Sequence, residues 1–474
     1  MTTAWIPRAA LLCSCLLLLG GCSPERDTPS EAPLGETTQA LTNSISTYTN
    51  PSLTPVLSSA GGRQTVWDPA GLHTVWTHAG IVYYATSRDG AIWTPPMAVD
   101  SNAALAPSIT LYGNGNVGIV YLRAGAGGPG NHHVYYRSRS RTGVWSAPFK
   151  VTSDYTSEYV QSTSIDGLGD LVYLAWSSKN YINYLSFPGA QASPLATSYT
   201  INLSMMCSSY TLSHPAIAVA LNDVGALPNP IIRIAWYQYG KPYFPTGCTS
   251  GYSFGWKLAQ KPEDQNDYWP VIASTAGEIL STTTTTPVSL SLTANKTTGD
   301  YYLATSEVVD GVGSTWLGFE NARNPSDTWR WVSLLPRASL VDVAAEFTSC
   351  GPQFRVAHSD VTVSADGYSP SFSRTGTWEG AATTPTWIDS HALMSAQGRV
   401  GDAVIWQTPV DAANVRDVSA VFEGRAASPF FSLMSFHDTK PNPNCGPPSC
   451  TACHAMGVAP SKALPSRACP RSQP

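Results

Sequence analysis

The chain has 474 residues, of which only 12% are charged, with 27 Lys and Arg against 32 Asp and Glu, for a net charge of −5. A nucleic-acid partner calls for a clearly basic footprint, which this balance excludes. Its 15 Trp and 22 Tyr, with abundant Ser and Thr and no long Ala/Glu/Lys/Leu periodicity, fit an all-β protein.

Residues 1–21 read as a secretory signal. Arg8 is the lone charge ahead of an apolar run over 9–19, which is short for a bilayer span. The run ends in Leu19-Gly20-Gly21-Cys22. Small residues fit a peptidase cleft, and the cysteine after them supplies a thiol for lipid. This string resembles the lipobox of bacterial lipoproteins, which implies lipidation of Cys22 and export to the cell envelope. Ser23 resembles an outer-membrane sorting signal, so the outer membrane is favoured. Residues 22–45 carry few large apolar groups and read as a flexible tether.

Residues 46–436 carry a repeat. Val82-Tyr83-Tyr84-Ala85-Thr86-Ser87-Arg88-Asp89-Gly90-Ala91-Ile92-Trp93 parallels Val134-Tyr135-Tyr136-Arg137-Ser138-Arg139-Ser140-Arg141-Thr142-Gly143-Val144-Trp145. Each is an aromatic strand, a polar turn with Gly, then Trp. Each follows a strand, over 72–76 and 117–121. The repeat predicts four-stranded propeller blades. Weaker copies centre on 171–185, 231–236 with Trp256 and Trp269, 300–304 with Trp329 and Trp331, and 354–358 with Trp378. Ala403-Val404 and the strand over 418–422 form either a seventh unit or a closure against the first strands. The expected fold is a six-bladed β-propeller, with seven blades as the alternative.

Ser87, Asp89, Gly90 and Trp93 resemble the Asp-box of sialidase-like propellers, in a form one residue shorter. Asp and Ser can bond the turn's own N–H groups and Gly accepts positive φ. Gly143 with Trp145 resembles a degenerate copy lacking the Asp. The resemblance spans roughly 50–435 and implies a fold, not a reaction, because such boxes lie away from the ligand face.

Sialidase chemistry would require an arginine triad, a Tyr activated by a Glu, and an Asp acid/base. The early Arg-Ile-Pro string is missing from the mature sequence; Trp5-Ile6-Pro7-Arg8 belongs to the signal. Arg63 stands near the expected place, and Glu346 and Arg355 suit later roles. Asp68, Asp342 and Glu346 are the candidates for a general two-carboxylate glycosidase. The preferred reading is a non-catalytic propeller that binds a glycan or an envelope protein. An exo-sialidase type of glycosidase is the alternative.

Other candidates have simpler readings. Arg137, Arg139 and Arg141 alternate, and on a strand would share a solvated face. His132-His133 reads as loop rather than a metal pair. Gly125 to Gly130 is a hairpin loop without the Lys-Ser/Thr of a P-loop. Cys207 and Cys248 flank the fourth unit and form a candidate disulfide.

Residues 437–474 are rich in Pro and Cys, with no strand pattern. Cys450-Thr451-Ala452-Cys453-His454 matches the c-type haem attachment pattern, with His454 as iron ligand. His437 is the candidate opposite ligand, since Met456 is too close. With Cys445 and Cys469 nearby, a two-disulfide knot and a zinc site are the competing readings. A covalent haem would make the chain an envelope redox protein.

Overall fold

The computed structural model describes residues 62–387 apart from connecting segments, and beyond them only strand backbone at 46–48, 388–394, 399–400, 403–404, 417–421, 431–438 and 453–460. Every regular element among the described residues is a β-strand, and no helix there is long and apolar enough to cross a membrane.

The strands form a β-propeller. Five sheets are four-stranded antiparallel meanders in chain order. Blade 1 runs Thr65–Asp68, Gly71–His78, Ile81–Ser87, Met97–Ala98. Blade 2 runs Ala104–Tyr112, Asn116–Ala124, His132–Arg139, Phe149–Lys150. Blade 3 runs Ser162–Leu168, Leu171–Ser178, Tyr181–Pro188, Tyr199–Ile201. Blade 5 runs Thr285–Ala294, Asp300–Val309, Val312–Asn321, Arg330–Leu335. Blade 6 runs Ser339–Thr348, Gly351–Asp360, Ser371–Thr377, Thr386–Met394. Between them, blade 4 keeps the same order over Ser209–Asn222, Asn229–Lys241, Tyr252–Pro262 and Val271–Ser274, with Glu278–Ile279 added beside the third strand.

Both ends of the chain build a closing sheet, ordered Asp417–Val421, Phe431–Asp438, Cys453–Pro460, Ser46–Tyr48. Its first strand packs against the innermost strands of blades 6 and 1 and so joins the ring. The six units read in the sequence correspond to the six consecutive sheets. The strand at 417–421, read as a seventh unit or a closure, belongs to this closing sheet. Ala403–Val404 instead pairs with Arg399–Val400 in a two-stranded sheet. The tail expected to lack strands contributes Cys453–Pro460.

Each apolar layer lies between neighbouring blades. Val75, Val82 and Tyr84 of blade 1 meet Ile109, Ile119 and Tyr121 of blade 2. Tyr173 and Ala175 of blade 3 meet Ile217, Ile232 and Trp236 of blade 4. Within blade 5, Tyr301 and Leu303 face blade 4, while Tyr302 and Ala304 face blade 6. Strands buried on both faces need no polar alternation, which is why Asp300-Tyr301-Tyr302-Leu303-Ala304 is an apolar run. Each large side chain buried in this way contributes about 1.5–3 kcal/mol.

The second turn–Trp unit packs as its pattern implies. Gly143 has φ +92°, and its N–H donates to the Ser140 carbonyl at 2.8 Å. Trp145 then lies edge-on to Tyr84 of blade 1, with ring centroids 5.1 Å apart. Of the first unit, Ser87 ends its strand and is buried. Asp89, Gly90 and Trp93 lie outside the described residues, as does the Asp-box geometry that depends on them.

Candidate functional site at the central channel

The innermost strands turn one edge toward the channel, where their backbone N–H groups have no strand partner. Side chains of the preceding blade fill that role. The Ile165 N–H donates to Ser108 Oγ at 3.3 Å and the Ile217 N–H to Ser164 Oγ at 3.1 Å. The Val341 and Val343 N–H groups donate to Ser289 and Ser291 Oγ at 3.2 and 3.1 Å. Blade 4 has Ala216, Ala218 and Ala220 in this register, and the seam with blade 5 is bonded by tyrosines instead. The Ala220 N–H donates to the Tyr301 hydroxyl at 3.0 Å, and Tyr237 donates to the Ser306 carbonyl at 2.8 Å.

Asp166 occupies one rung of this ladder. Its Oδ2 accepts from the Val219 N–H at 2.8 Å and its Oδ1 from the Gly167 N–H at 2.9 Å. Gly167 is required beside it, because a Cβ there would stand 2.0 Å from the Leu111 carbonyl oxygen.

Asp166 also faces a cavity of about 190 Å³ in the channel. The cavity lies toward the ends of the inner strands, where each turns into its second strand. Arg63, Thr65, Thr110, Asp166, Thr293 and Lys296 are its polar lining. Lys296, in the first turn of blade 5, bonds Asp166 through Nζ and donates to the Val219 carbonyl at 2.5 Å. Arg63 lies on the other side, with Nη1 3.9 Å from Asp166 Oδ1 and Nη2 donating to Thr293 Oγ1 at 2.6 Å. Asp166 is buried, whereas the Arg63 and Lys296 side chains are 22% and 35% exposed. Among the described residues, two cations surround one carboxylate at the cavity.

Of the described residues singled out in the sequence, Arg63 alone lines this cavity. Asp68 caps a turn, accepting from the Ala70 and Gly71 N–H groups at 2.7 and 3.1 Å and lying 3.3 Å from His73 Nε2. Burial alone would raise its pKa, but bonding and charge from His73, with the two backbone N–H groups, bring it below the usual carboxylate range. Asp342 is buried in the ladder, taking the Ser291 hydroxyl and the Val343 N–H at 3.0 Å. Arg355 is fully buried between blades. Glu346 lies on the innermost strand of blade 6, its side chain outside the described residues.

Three surface readings are corrected. Arg137 and Arg139 share a strand face, as expected, but stack over Trp145 at 5.0 Å and Tyr84 at 5.6 Å instead of facing solvent. Arg141 falls in the following turn, where its N–H donates to Asn116 Oδ1 at 2.9 Å. His132 and His133 are strand residues, not loop, because the register continues to Ala124↔His132. His133 Nδ1 lies 3.2 Å from Thr152 Oγ1. Among the described residues, no three His, Cys, Asp or Glu gather as a metal site. Gly125 does join two paired strands, with 126–131 outside the described residues.

Cys22, Cys207, Cys248 and Cys450 also lie outside the described residues. Cys453 and His454 begin the strand Cys453–Pro460, where His454 is the register partner of His437 and of Tyr48. Register partners on adjacent strands have Cα atoms about 4.5–5.5 Å apart.

Asp166 and Lys296 went unnoticed in the sequence. They are 130 residues apart, and no local pattern links them. One usable signal was Ser162-Thr163-Ser164-Ile165-Asp166, an inner-strand alternation ending in a carboxylate.

No family model matches the chain, and no curated protein matches it. Among solved structures, the α-L-arabinofuranosidase Arb93A from Fusarium graminearum is 11% identical, covering 63% of this chain and 88% of its own, with a TM-score of 0.39. AofleA from Arthrobotrys oligospora is 11% identical, covering 73% and 88%, with a TM-score of 0.41. An α-L-arabinanase of Penicillium chrysogenum is 11% identical, covering 76% and 94%, with a TM-score of 0.38. At these values no residue role transfers from them.

Proposed function

We propose that this chain is a lipid-anchored propeller of the bacterial envelope whose channel cavity binds a ligand without hydrolysing it. The state of Asp166 carries the reading. Glycoside hydrolysis in its usual form uses two carboxyl groups about 5–9.5 Å apart, one free to give a proton and one to attack or to activate water. Among the described residues lining the cavity, Asp166 is the sole carboxylate. Lys296 and two backbone N–H groups already hold its oxygens. Such a group already serves as an acceptor to its neighbours and suits positioning.

The test uses the full mature protein. Incubation with aryl glycosides, among them an α-L-arabinofuranoside and a sialoside, should give no turnover above background, while calorimetry detects saturable binding of a small sugar ligand. Turnover that Asp166→Asn abolishes would replace this reading with a glycosidase. The anchor is tested separately. Palmitate labelling in a bacterial host should mark the protein and vanish with Cys22→Ser; labelling that persists in the variant refutes the lipobox.

A further inference from the structure

We propose that blade 5, on its face toward blade 4, carries a second binding site for a primary alkylammonium group, with Glu307 as the carboxylate that receives it and Trp316 as the ring it lies against. The site is at the other end of the inner strands from the channel cavity. Glu307 is the register partner of Pro287, near the start of the innermost strand of blade 5, whereas Thr293, farther along that strand, lines the cavity. The strand between those two residues spans about 20 Å.

Register and alternation put the residues of this site on one face. Thr305 pairs with Trp316 and Glu307 with Ser314, on the face that Tyr301 and Leu303 turn to blade 4. Glu307 is 8% exposed, and its Oε2 has no hydrogen-bond partner among the described residues. The polar groups near it are committed elsewhere. Tyr237 of blade 4 donates to the Ser306 carbonyl at 2.8 Å. Thr315 Oγ1 donates to Ser306 Oγ at 3.1 Å, and His214 Nδ1 lies 2.8 Å from Ser213 Oγ. Burial raises the Glu307 pKa, and no cation beside it offsets the rise. A buried carboxylate without a partner costs stability. Stability given up in this way is characteristic of functional sites.

An unfilled buried acceptor of negative charge selects a partner that brings N–H donors and positive charge, which is an ammonium. Its neighbours select the rest. Trp316, diagonal to Glu307 across the strand pair, is 39% exposed, and Val312 of the same strand is 69% exposed. Diagonal neighbours are about 7–8 Å apart, and a cation is attracted within about 6 Å of a ring centroid. One ammonium therefore reaches both the carboxylate and the ring. The exposed apolar surface of Trp316 and Val312 suits a methylene stem. A calcium ion would need several oxygen ligands instead, and among the described residues no three His, Cys, Asp or Glu gather here. A free diamine and the lysine side chain of a partner protein share the chemistry required.

Calorimetry on the full mature chain, at constant ionic strength because salt screens such a site, uses cadaverine, Nα-acetyl-lysine amide, the uncharged pentanediol and calcium chloride as probes. At least one of the two amines should bind about tenfold or more tightly than the diol, the scale of one charge-assisted hydrogen bond. Tighter binding of cadaverine identifies a free diamine as the ligand, and tighter binding of the lysine amide identifies a protein side chain. Glu307→Gln should lose the preference for amine while gaining stability at pH 7, so the loss is not one of folding. Glu307→Asp should retain part of the preference. Trp316→Leu should weaken amine binding about two- to fivefold, the scale of a cation over an exposed ring. Equal affinity for amine and diol, amine binding untouched by Glu307→Gln or by Trp316→Leu, calcium that displaces the amine, or binding of neither amine would each overturn the assignment.

Discussion

Ser289→Ala tests the idea that hydroxyls hold neighbouring blades together at the channel. Ser289 is 1% exposed; its hydroxyl donates to the Val341 carbonyl at 2.9 Å and accepts from the Val341 N–H at 3.2 Å. Alanine keeps nearly the same volume, so the substitution removes those two bonds and little packing. The exposed inner edge of blade 6 then has a buried N–H without its acceptor, at a cost of about 1–3 kcal/mol. Ser291→Ala provides an internal comparison. The Val343 N–H donates to Ser291 Oγ at 3.1 Å but also to Asp342 Oδ1 at 3.0 Å, so it keeps a partner when the hydroxyl is gone. Urea denaturation should show the loss for Ser289→Ala. Hydrogen exchange on peptides spanning Ser339–Thr348 should accelerate in Ser289→Ala at Val341 and leave Val343 protected in Ser291→Ala. A Ser289→Ala cost below about 0.5 kcal/mol, with unchanged exchange, would refute the ladder.

Four further outcomes are expected. Arg233, 2% exposed, pairs with Glu320 of the next blade and lies 4.0 Å over Tyr301; Glu320→Gln should cost about 3–5 kcal/mol in urea unfolding, and Arg233→Met with Glu320→Leu far less. The lowered pKa of Asp68 means its stabilisation is present above the usual carboxylate range and lost as pH falls through the lowered value; Asp68→Asn should therefore flatten the acid limb of stability against pH. Burial raises the pKa of Glu307, whose Oε2 has no hydrogen-bond partner among the described residues; that group favours folding when protonated and loses the benefit as pH rises, so Glu307→Gln should gain stability at pH 7 and none in acid. Expression alongside haem-attachment machinery should give no haem-stained band on a denaturing gel, and a band lost with Cys450→Ala would establish the haem reading.

The blades were legible because their signals are local. A strand, a Gly turn and a Trp recur within a dozen residues, and the Trp145–Tyr84 contact shows what that spacing accomplishes: the ring reaches back to the preceding blade. Asp68-Pro69-Ala70-Gly71 is an equally local signal, but Asp68 was read there as a candidate catalytic carboxylate and not as a turn cap. Its Asp caps the N–H groups two and three residues on, as a turn of that composition favours, and the carboxylate is spent there. His132 and His133 were misread because a Gly run adjoins them, whereas pairing with the previous strand extends past the run. The strand Cys453–Pro460 has little β-propensity of its own. Its neighbours Phe431–Asp438 and Ser46–Tyr48 supply the pairing, and a tertiary cause of that kind leaves no local pattern.

The channel site was illegible for a related reason. Arg63 reaches Thr293 across 230 positions, and Lys296 reaches Asp166 across 130. Both contacts join blades that are not neighbours, and the ring closes through the sheet that holds 46–48 and 453–460. Ser46–Tyr48 is that sheet's outermost strand, paired to Cys453–Pro460. If residues 22–45 tether the domain through Cys22, any pull on the tether acts first on this edge strand and only then on the strands that pack between blades 6 and 1. The propeller's seam and its attachment to the membrane are then one structure, and a closing sheet weakened at Ser46–Tyr48 would loosen the cavity from the far side of the ring. Deleting 46–48 should accordingly lower both stability and ligand affinity at the channel cavity, whereas deleting 23–40 should change neither.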